Sequence, residues 1–217
     1  MKRIGIFGGT FDPVHLGHLR VAQEFAEGFA LDRVLMIPAG LPPHRVELPS
    51  ACAEDRLEML RLAVAGNPEL EVSDIEINRT GPSFTLETLL DLQAGDEDKQ
   101  FYLALGADAY RDISKWHRPL EVLQNTHVVV LTRPGFDTDL LEPLTGELKG
   151  FYKEVEGGFV SSSGMTLTGL TVSGLDISGS RIRVLVSRGN SIRYLVPDCV
   201  LEYIQQKGLY LHEKDAR

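Results

Sequence analysis

Apolar residues in this chain come in short runs that stop at glycine or proline, and they alternate with stretches of helical period. Residues 3–8 are an apolar run closing on glycine, which predicts a buried parallel strand. From 15 to 30 the period changes. Leu16, Leu19, Ala22, Phe25 and Ala26 recur at three- and four-residue steps, which predicts an amphipathic helix. A second strand is expected over 33–38. It runs into Gly40-Leu41-Pro42-Pro43-His44-Arg45, a stiff loop, because proline fixes φ and restricts its predecessor. Helices are expected over 53–65 (stopped by Gly66-Asn67-Pro68), 83–93, 107–115 and 119–124, and strands over 70–78, 100–106 and 127–131.

Regularity fades between 136 and 175, where Gly, Ser and Thr are frequent and one or two short strands are expected over 159–172. It returns at Ser178-Gly179-Ser180, a serine-capped helix start running to about 188 and ending at Gly189-Asn190. A last helix should begin at Pro197 and stop at Gly208. Strands alternating with helices predict an α/β fold, a Rossmann-like doubly wound parallel sheet with a small C-terminal helical subdomain. The expected organisation is one domain over 1–217, with a core at 1–135, an irregular insertion at 136–175 and a helical part at 176–217. Ligands of such sheets sit beyond the carboxyl ends of the strands. The loops after the strands should therefore converge on one rim.

Composition narrows the partners. The 217 residues carry 22 Lys and Arg against 31 Asp and Glu, a net charge of −9. A broad nucleic-acid surface is not expected, since it needs many cations facing phosphates. A small anion remains acceptable, because a local pocket can be positive on an acidic protein. No apolar run is long enough for a spanning helix, and residues 1–7, soon interrupted by glycine, are not expected to act as a signal peptide. Cys52 and Cys199 have no metal-ligand spacing and fit reduced thiols of a cytoplasmic protein. The pattern is compatible with a homo-oligomer without requiring one.

Three constellations carry candidate chemistry. The first is Gly8-Gly9-Thr10-Phe11-Asp12-Pro13-Val14-His15-Leu16-Gly17-His18. It lacks the three spaced glycines of a dinucleotide loop and the Gly-Lys-Ser/Thr of a P-loop. Its two imidazoles, three residues apart at a helix start, would add donors where backbone N–H groups already favour anions. The same spacing also suits plain exposed histidines, or a zinc pair still needing a third ligand. The second is 177–183, with hydroxyls at a helix start and Arg183 one turn in, able to hold phosphate oxygens or simply to cap a surface helix. The third is Gly106-Ala107-Asp108 with Trp116. This lone tryptophan serves either as core or as a stacking plate for an aromatic ring.

Together these segments resemble the nucleotidylyltransferase superfamily marked by an HxGH signature, here His15-Leu16-Gly17-His18. Within it the chain is similar to the bacterial nicotinate-nucleotide adenylyltransferases. Pro42-Pro43-His44-Arg45, the run from Ser83 to Leu89, Leu105-Gly106-Ala107-Asp108, Trp116, Arg133-Pro134-Gly135 and 177–183 follow in that family's order. One departure stands out. The family commonly carries Ser and Thr where this chain has Gly179 and Ser180, so one hydroxyl is missing.

The resemblance implies adenylyl transfer from ATP to nicotinate mononucleotide, with release of pyrophosphate, in NAD biosynthesis. A phosphate oxygen of the acceptor is already a nucleophile, so the site needs positioning and charge stabilisation rather than a Ser or Cys nucleophile. By the same resemblance His15, His18 and Arg183 act on the transferring phosphates. Gly8, Gly9, Thr10, Phe11, Gly106, Asp108, Ile177, Ser178 and Ser180 bind ATP. His44, Arg45, Thr85, Trp116 and Arg133 bind the acceptor. Mg²⁺ would arrive with ATP, with no protein metal site. Two other readings stay open on the motifs: transfer to another small phosphate acceptor, such as nicotinamide mononucleotide or pantetheine phosphate, and a non-catalytic nucleotide-binding regulator.

Overall fold

A computed structural model of the chain describes residues 1–41, 49–94, 98–135 and 139–211. His44 and Arg45 lie outside the described residues. Eight strands are described: β1 (Lys2–Gly9), β2 (Arg33–Pro38), β3 (Leu70–Val72), β4 (Lys99–Gly106), β5 (His127–Thr132), β6 (Tyr152–Val155), β7 (Gly158–Ser161) and β8 (Thr166–Thr171). The helices are α1 (Leu16–Gly28), α2 (Ala53–Val64), α3 (Thr85–Gln93), α4 (Ala107–Arg111), α5 (Pro119–Asn125), α6 (Gly179–Ser187) and α7 (Asp198–Lys207).

The strands form one sheet in the order β3-β2-β1-β4-β5-β8-β7-β6. From β3 to β8 every pairing is parallel, and β7 and β6 add an antiparallel edge. The chain builds outward from β1 through β2 to β3, then returns to build the other way from β4. That reversal opens a crevice at the carboxyl ends of β1 and β4. Because side chains alternate along a strand, each central strand feeds two cores. Val34, Met36, Tyr102, Ala104, Val129 and Leu131 face a core shared with α1, α2, α6 and α7. Leu35, Ile37, Phe101, Leu103, Val128 and Val130 face one shared with α3, α4 and α5.

Three predicted elements differ. The stretch 136–175 is less irregular than its composition suggests, because it supplies β6, β7 and β8. Those strands are short, and β8 buries only Leu167, so no continuous apolar run marks them. The strand expected over 70–78 is limited to Leu70–Val72. Its partner β2 pairs only as far as Met36↔Val72, after which the chain turns, with Asn78 N–H bonded to Asp74 C=O at 3.0 Å. The helix expected over 107–115 divides into α4 and a 3₁₀ turn at Ile113–Lys115.

Candidate active site

Beyond β1 the chain makes a tight turn before α1. Phe11 sits at φ 50°, in the left-handed region that a bulky L residue avoids, and the Asp12–Pro13 bond is cis. The turn delivers His15 as the N-cap of α1 rather than as its first helical residue. The two imidazoles then cap each other. His18 N–H donates to His15 Nδ1 and His15 N–H donates to His18 Nδ1, each at 3.3 Å. Their rings stack with centroids 3.6 Å apart, and Phe11 meets His18 edge-on at 5.0 Å. Gly17 leaves the space for this. A Cβ there would lie 3.0 Å from His15 Nδ1.

The capping fixes the proton. Each Nδ1 accepts, so in the neutral ring Nε2 carries the hydrogen and is the donor. Burial lowers the His15 pKa from its ordinary 6.5 to about 4. Burial, and then the neighbouring His15, lower that of His18 to about 3. Both rings are therefore neutral N–H donors near pH 7, held in one orientation.

Asp12 is the hub behind them, buried at 5% exposure. Its carboxylate accepts from the backbone N–H groups of Ser50 and Ala51, at 2.7 and 3.1 Å, and from the Tyr210 hydroxyl at 2.8 Å. Arg183 of α6 donates to the Asp12 carbonyl at 2.9 Å, pairs with Asp12 Oδ2 at 3.7 Å and reaches Ser180 Oγ at 3.4 Å. Gly179 lets α6 come this close, since a Cβ there would stand 2.8 Å from the Asp12 carbonyl oxygen. The missing hydroxyl at 179 is thus linked to tight packing of α6 on the Asp12 turn. Behind the turn, Arg56 of α2 is buried and donates to Thr10 C=O at 2.8 Å.

Two cavities open at this rim. The larger, about 620 Å³, is lined by Thr10, Phe11, His15, His18, Gly106, Asp108, the 177–180 segment and Arg183. Arg111 and Arg133 add two further guanidiniums. Asp108 is paired with Arg111 at 2.9 Å and Asp12 is held as above, so the cleft leans positive on a protein of net charge −9. The start of α6 faces it, with Ser178 Oγ capping Arg181 N–H at 3.3 Å and no acidic residue in its first turn. Ile177 approaches the other helix, 3.8 Å from where a Gly17 Cβ would be. The second cavity, about 430 Å³, is more apolar and is lined by Gly8, Gly9, Phe84, Thr85, Trp116 and His117, with Glu76 in its wall. Glu76 accepts from the Thr88 hydroxyl at 2.9 Å, and burial raises its pKa.

Comparison with known proteins identifies the architecture. A cytidylyltransferase-like family model matches residues 6–184. A "Probable nicotinate-nucleotide adenylyltransferase" of Pseudomonas syringae pv. tomato is 43% identical over 210 residues, covering 96% of this chain and 94% of its own length. The chain belongs to the nicotinate-nucleotide adenylyltransferases. A relative of the same name from Geobacter metallireducens is 39% identical, over 98% of this chain and all of its own. Among solved structures, the Plasmodium falciparum nicotinic acid mononucleotide adenylyltransferase complexed with NaAD superposes with a TM-score of 0.74. It has 18% identity and covers 98% of this chain and 99% of that one. At that identity it shows a shared fold.

Within this adenylyltransferase fold most expected site residues converge, with some redistribution. His15, His18, Arg183, Thr10, Phe11, Gly106, Asp108, Ile177, Ser178 and Ser180 line one cleft. Gly8 and Gly9, expected at ATP, line the other cavity, because β1 runs between the two. Arg133, expected at the acceptor, lines the larger cleft, because β5 ends beside β8 on that side. Thr85 and Trp116 share the smaller one. Three contributors went unassigned in the sequence: Asp12, Arg56 and Tyr210. Arg56 left a signal, being a cation on the face of α2 that also carries Met59 and Leu60. Tyr210 left none.

Proposed function

We propose that the larger cleft binds ATP, that the smaller one binds nicotinate mononucleotide, and that the protein transfers the adenylyl group between them. The observation that carries this reading is the meeting of the neutral, oriented imidazole pair with Arg183 and the start of α6 in one cleft, beside a separate cavity with an aromatic wall. An acceptor phosphate oxygen attacks the α-phosphorus in line. The bond from that phosphorus to the bridging oxygen breaks, and pyrophosphate leaves with the electron pair. His15 and His18 donate Nε2–H to oxygens on which charge builds, while Ser178, Ser180 and Arg183 hold the outer phosphates. Trp116 stacks on the pyridine ring and Thr85 lines its pocket; His44 and Arg45 are assigned to the acceptor phosphate.

We propose that Mg²⁺ arrives with the nucleotide rather than at a protein site of its own. Among the described residues no cluster of three or more His, Cys, Asp or Glu side chains could hold a metal, and the Asp12 oxygens already receive three hydrogen bonds. Carried in with ATP, the ion would supply charge neutralisation. Cys52 and Cys199 are free thiols, in keeping with a cytoplasmic enzyme. The test is pyrophosphate release with ATP and a panel of nicotinate, nicotinamide and pantetheine acceptors. Release is expected with nicotinate mononucleotide first. ATP binding with no release from any acceptor would refute the reading.

A further inference from the structure

We infer that Tyr210, near the far end of the chain, is a positioning residue for adenylyl transfer, acting through Asp12 on Arg183. The inference rests on the function proposed above. After α7 the chain turns at Gly208, with Leu209 N–H bonded to Ile204 C=O at 3.1 Å. Tyr210 then adopts φ 66° and is buried, with its hydroxyl 2.8 Å from Asp12 Oδ1. At the other end of that bond, Phe11, next to Asp12, adopts φ 50°. One residue in a disfavoured backbone region thus donates this hydrogen bond, and another immediately precedes its acceptor in the chain. Such strain persists where the surroundings over-determine it and clusters at functional sites.

The chemistry of the contact explains the coupling. Burial first, and then the Asp12 carboxylate, raise the phenol pKa, so it stays protonated and donates. With the donations from Ser50 and Ala51, the carboxylate is satisfied while Arg183 stays 3.7 Å from Oδ2. Removing the phenol leaves a buried carboxylate short of a donor, which is costly. Arg183 is the cleft-lining cation already beside that carboxylate, 3.7 Å from Oδ2. Its guanidinium is expected to close on Oδ2 and withdraw from the cleft, although the deleted group touches no substrate.

The experiment compares Tyr210→Phe with Tyr203→Phe, which removes a comparable 2.8 Å hydroxyl–carboxylate bond (to Asp55) away from both cavities. Pyrophosphate release with ATP and nicotinate mononucleotide gives kcat and KM, and thermal unfolding is recorded for each variant. Tyr210→Phe should lower kcat about tenfold with the mononucleotide KM unchanged, while Tyr203→Phe keeps wild-type kcat. In an Arg183→Gln background, removing the Tyr210 hydroxyl should change kcat less than about twofold. Full activity of Tyr210→Phe, an equal loss in Tyr203→Phe, or an undiminished effect in the Arg183→Gln background would each overturn the inference. A wild-type protein that releases no pyrophosphate would instead refute the proposed function.

Discussion

Gly17→Ala separates the geometry of the imidazole pair from the stability of the fold. Gly17 occupies the second position of α1 and lacks the positive φ that would demand glycine. Alanine favours helix over glycine, by up to about 1 kcal/mol, so the backbone should tolerate the change or gain from it. The added Cβ, however, would sit 3.0 Å from His15 Nδ1 and 3.2 Å from Cε1, tighter than ordinary contact. His15 must then give by a few tenths of an ångström. It is buried, at 6% exposure, and its ring is already stacked against His18 with centroids 3.6 Å apart. The push passes through both rings and lengthens two capping bonds that are already 3.3 Å. A misplacement approaching 1 Å can lower a rate about a hundredfold; a smaller shift shared by two donors should give about ten- to a hundredfold. The assay is kcat from pyrophosphate release alongside Tm. The expected result is a lower kcat with Tm equal to or above wild type. Wild-type kcat, or a fall in kcat that follows a fall in Tm, would refute the reasoning.

Other expectations concern the same rim. His18→Ala should lower kcat about a hundredfold or more with a modest change in KM, the pattern of a contact made in the transition state; unchanged kcat would remove His18 from the mechanism. Trp116→Ala should raise KM for the mononucleotide and leave that for ATP near wild type, and steady-state kinetics with each substrate varied would show the reverse if Trp116 served ATP. His15 and His18 have folded pKa values of about 4 and about 3, below the ordinary 6.5, so as pH falls the unfolded chain takes up these protons first. The stability tied to the neutral rings is full above about 6.5 and is lost as pH drops toward 4. Tm should therefore fall between about pH 7.5 and about pH 5, and by less in His18→Gln; equal falls in the two proteins would contradict the lowered pKa values.

The central α/β pattern was legible because its strands are buried on both faces and therefore apolar throughout, and because α1 and α2 keep a clean helical period. β7 and β8 fall in the 159–172 stretch where one or two short strands were expected, whereas β6 was not legible, since an edge strand exposed over most of its length needs no apolar run. Spacing put both imidazoles at one helix start but left exposed histidines and a zinc pair open, and only the resemblance gave them a phosphate role. Their mutual capping was not legible, because sequence gives no sign that His15 would sit outside the helix it starts. The placing of Gly8 and Gly9 at one cavity and of Arg111, Arg133 and Arg183 all at the other was also hidden. Neighbours in sequence, such as Gly9 and Thr10, face opposite ways once β1 runs between the clefts. Asp12 lay inside the quoted motif, yet its partners come from 50–51, 183 and 210, contacts that only the folded chain reveals.

One structure would test the phosphate site most directly: a crystal of the protein with a non-hydrolysable α,β-methylene analogue of ATP. His18 Nε2 should lie within about 3.2 Å of an α-phosphate oxygen, with Arg183 and the Ser178–Ser180 turn on the outer phosphates. A triphosphate bound away from the imidazole pair, or reached by the histidines but not by Arg183, would contradict it.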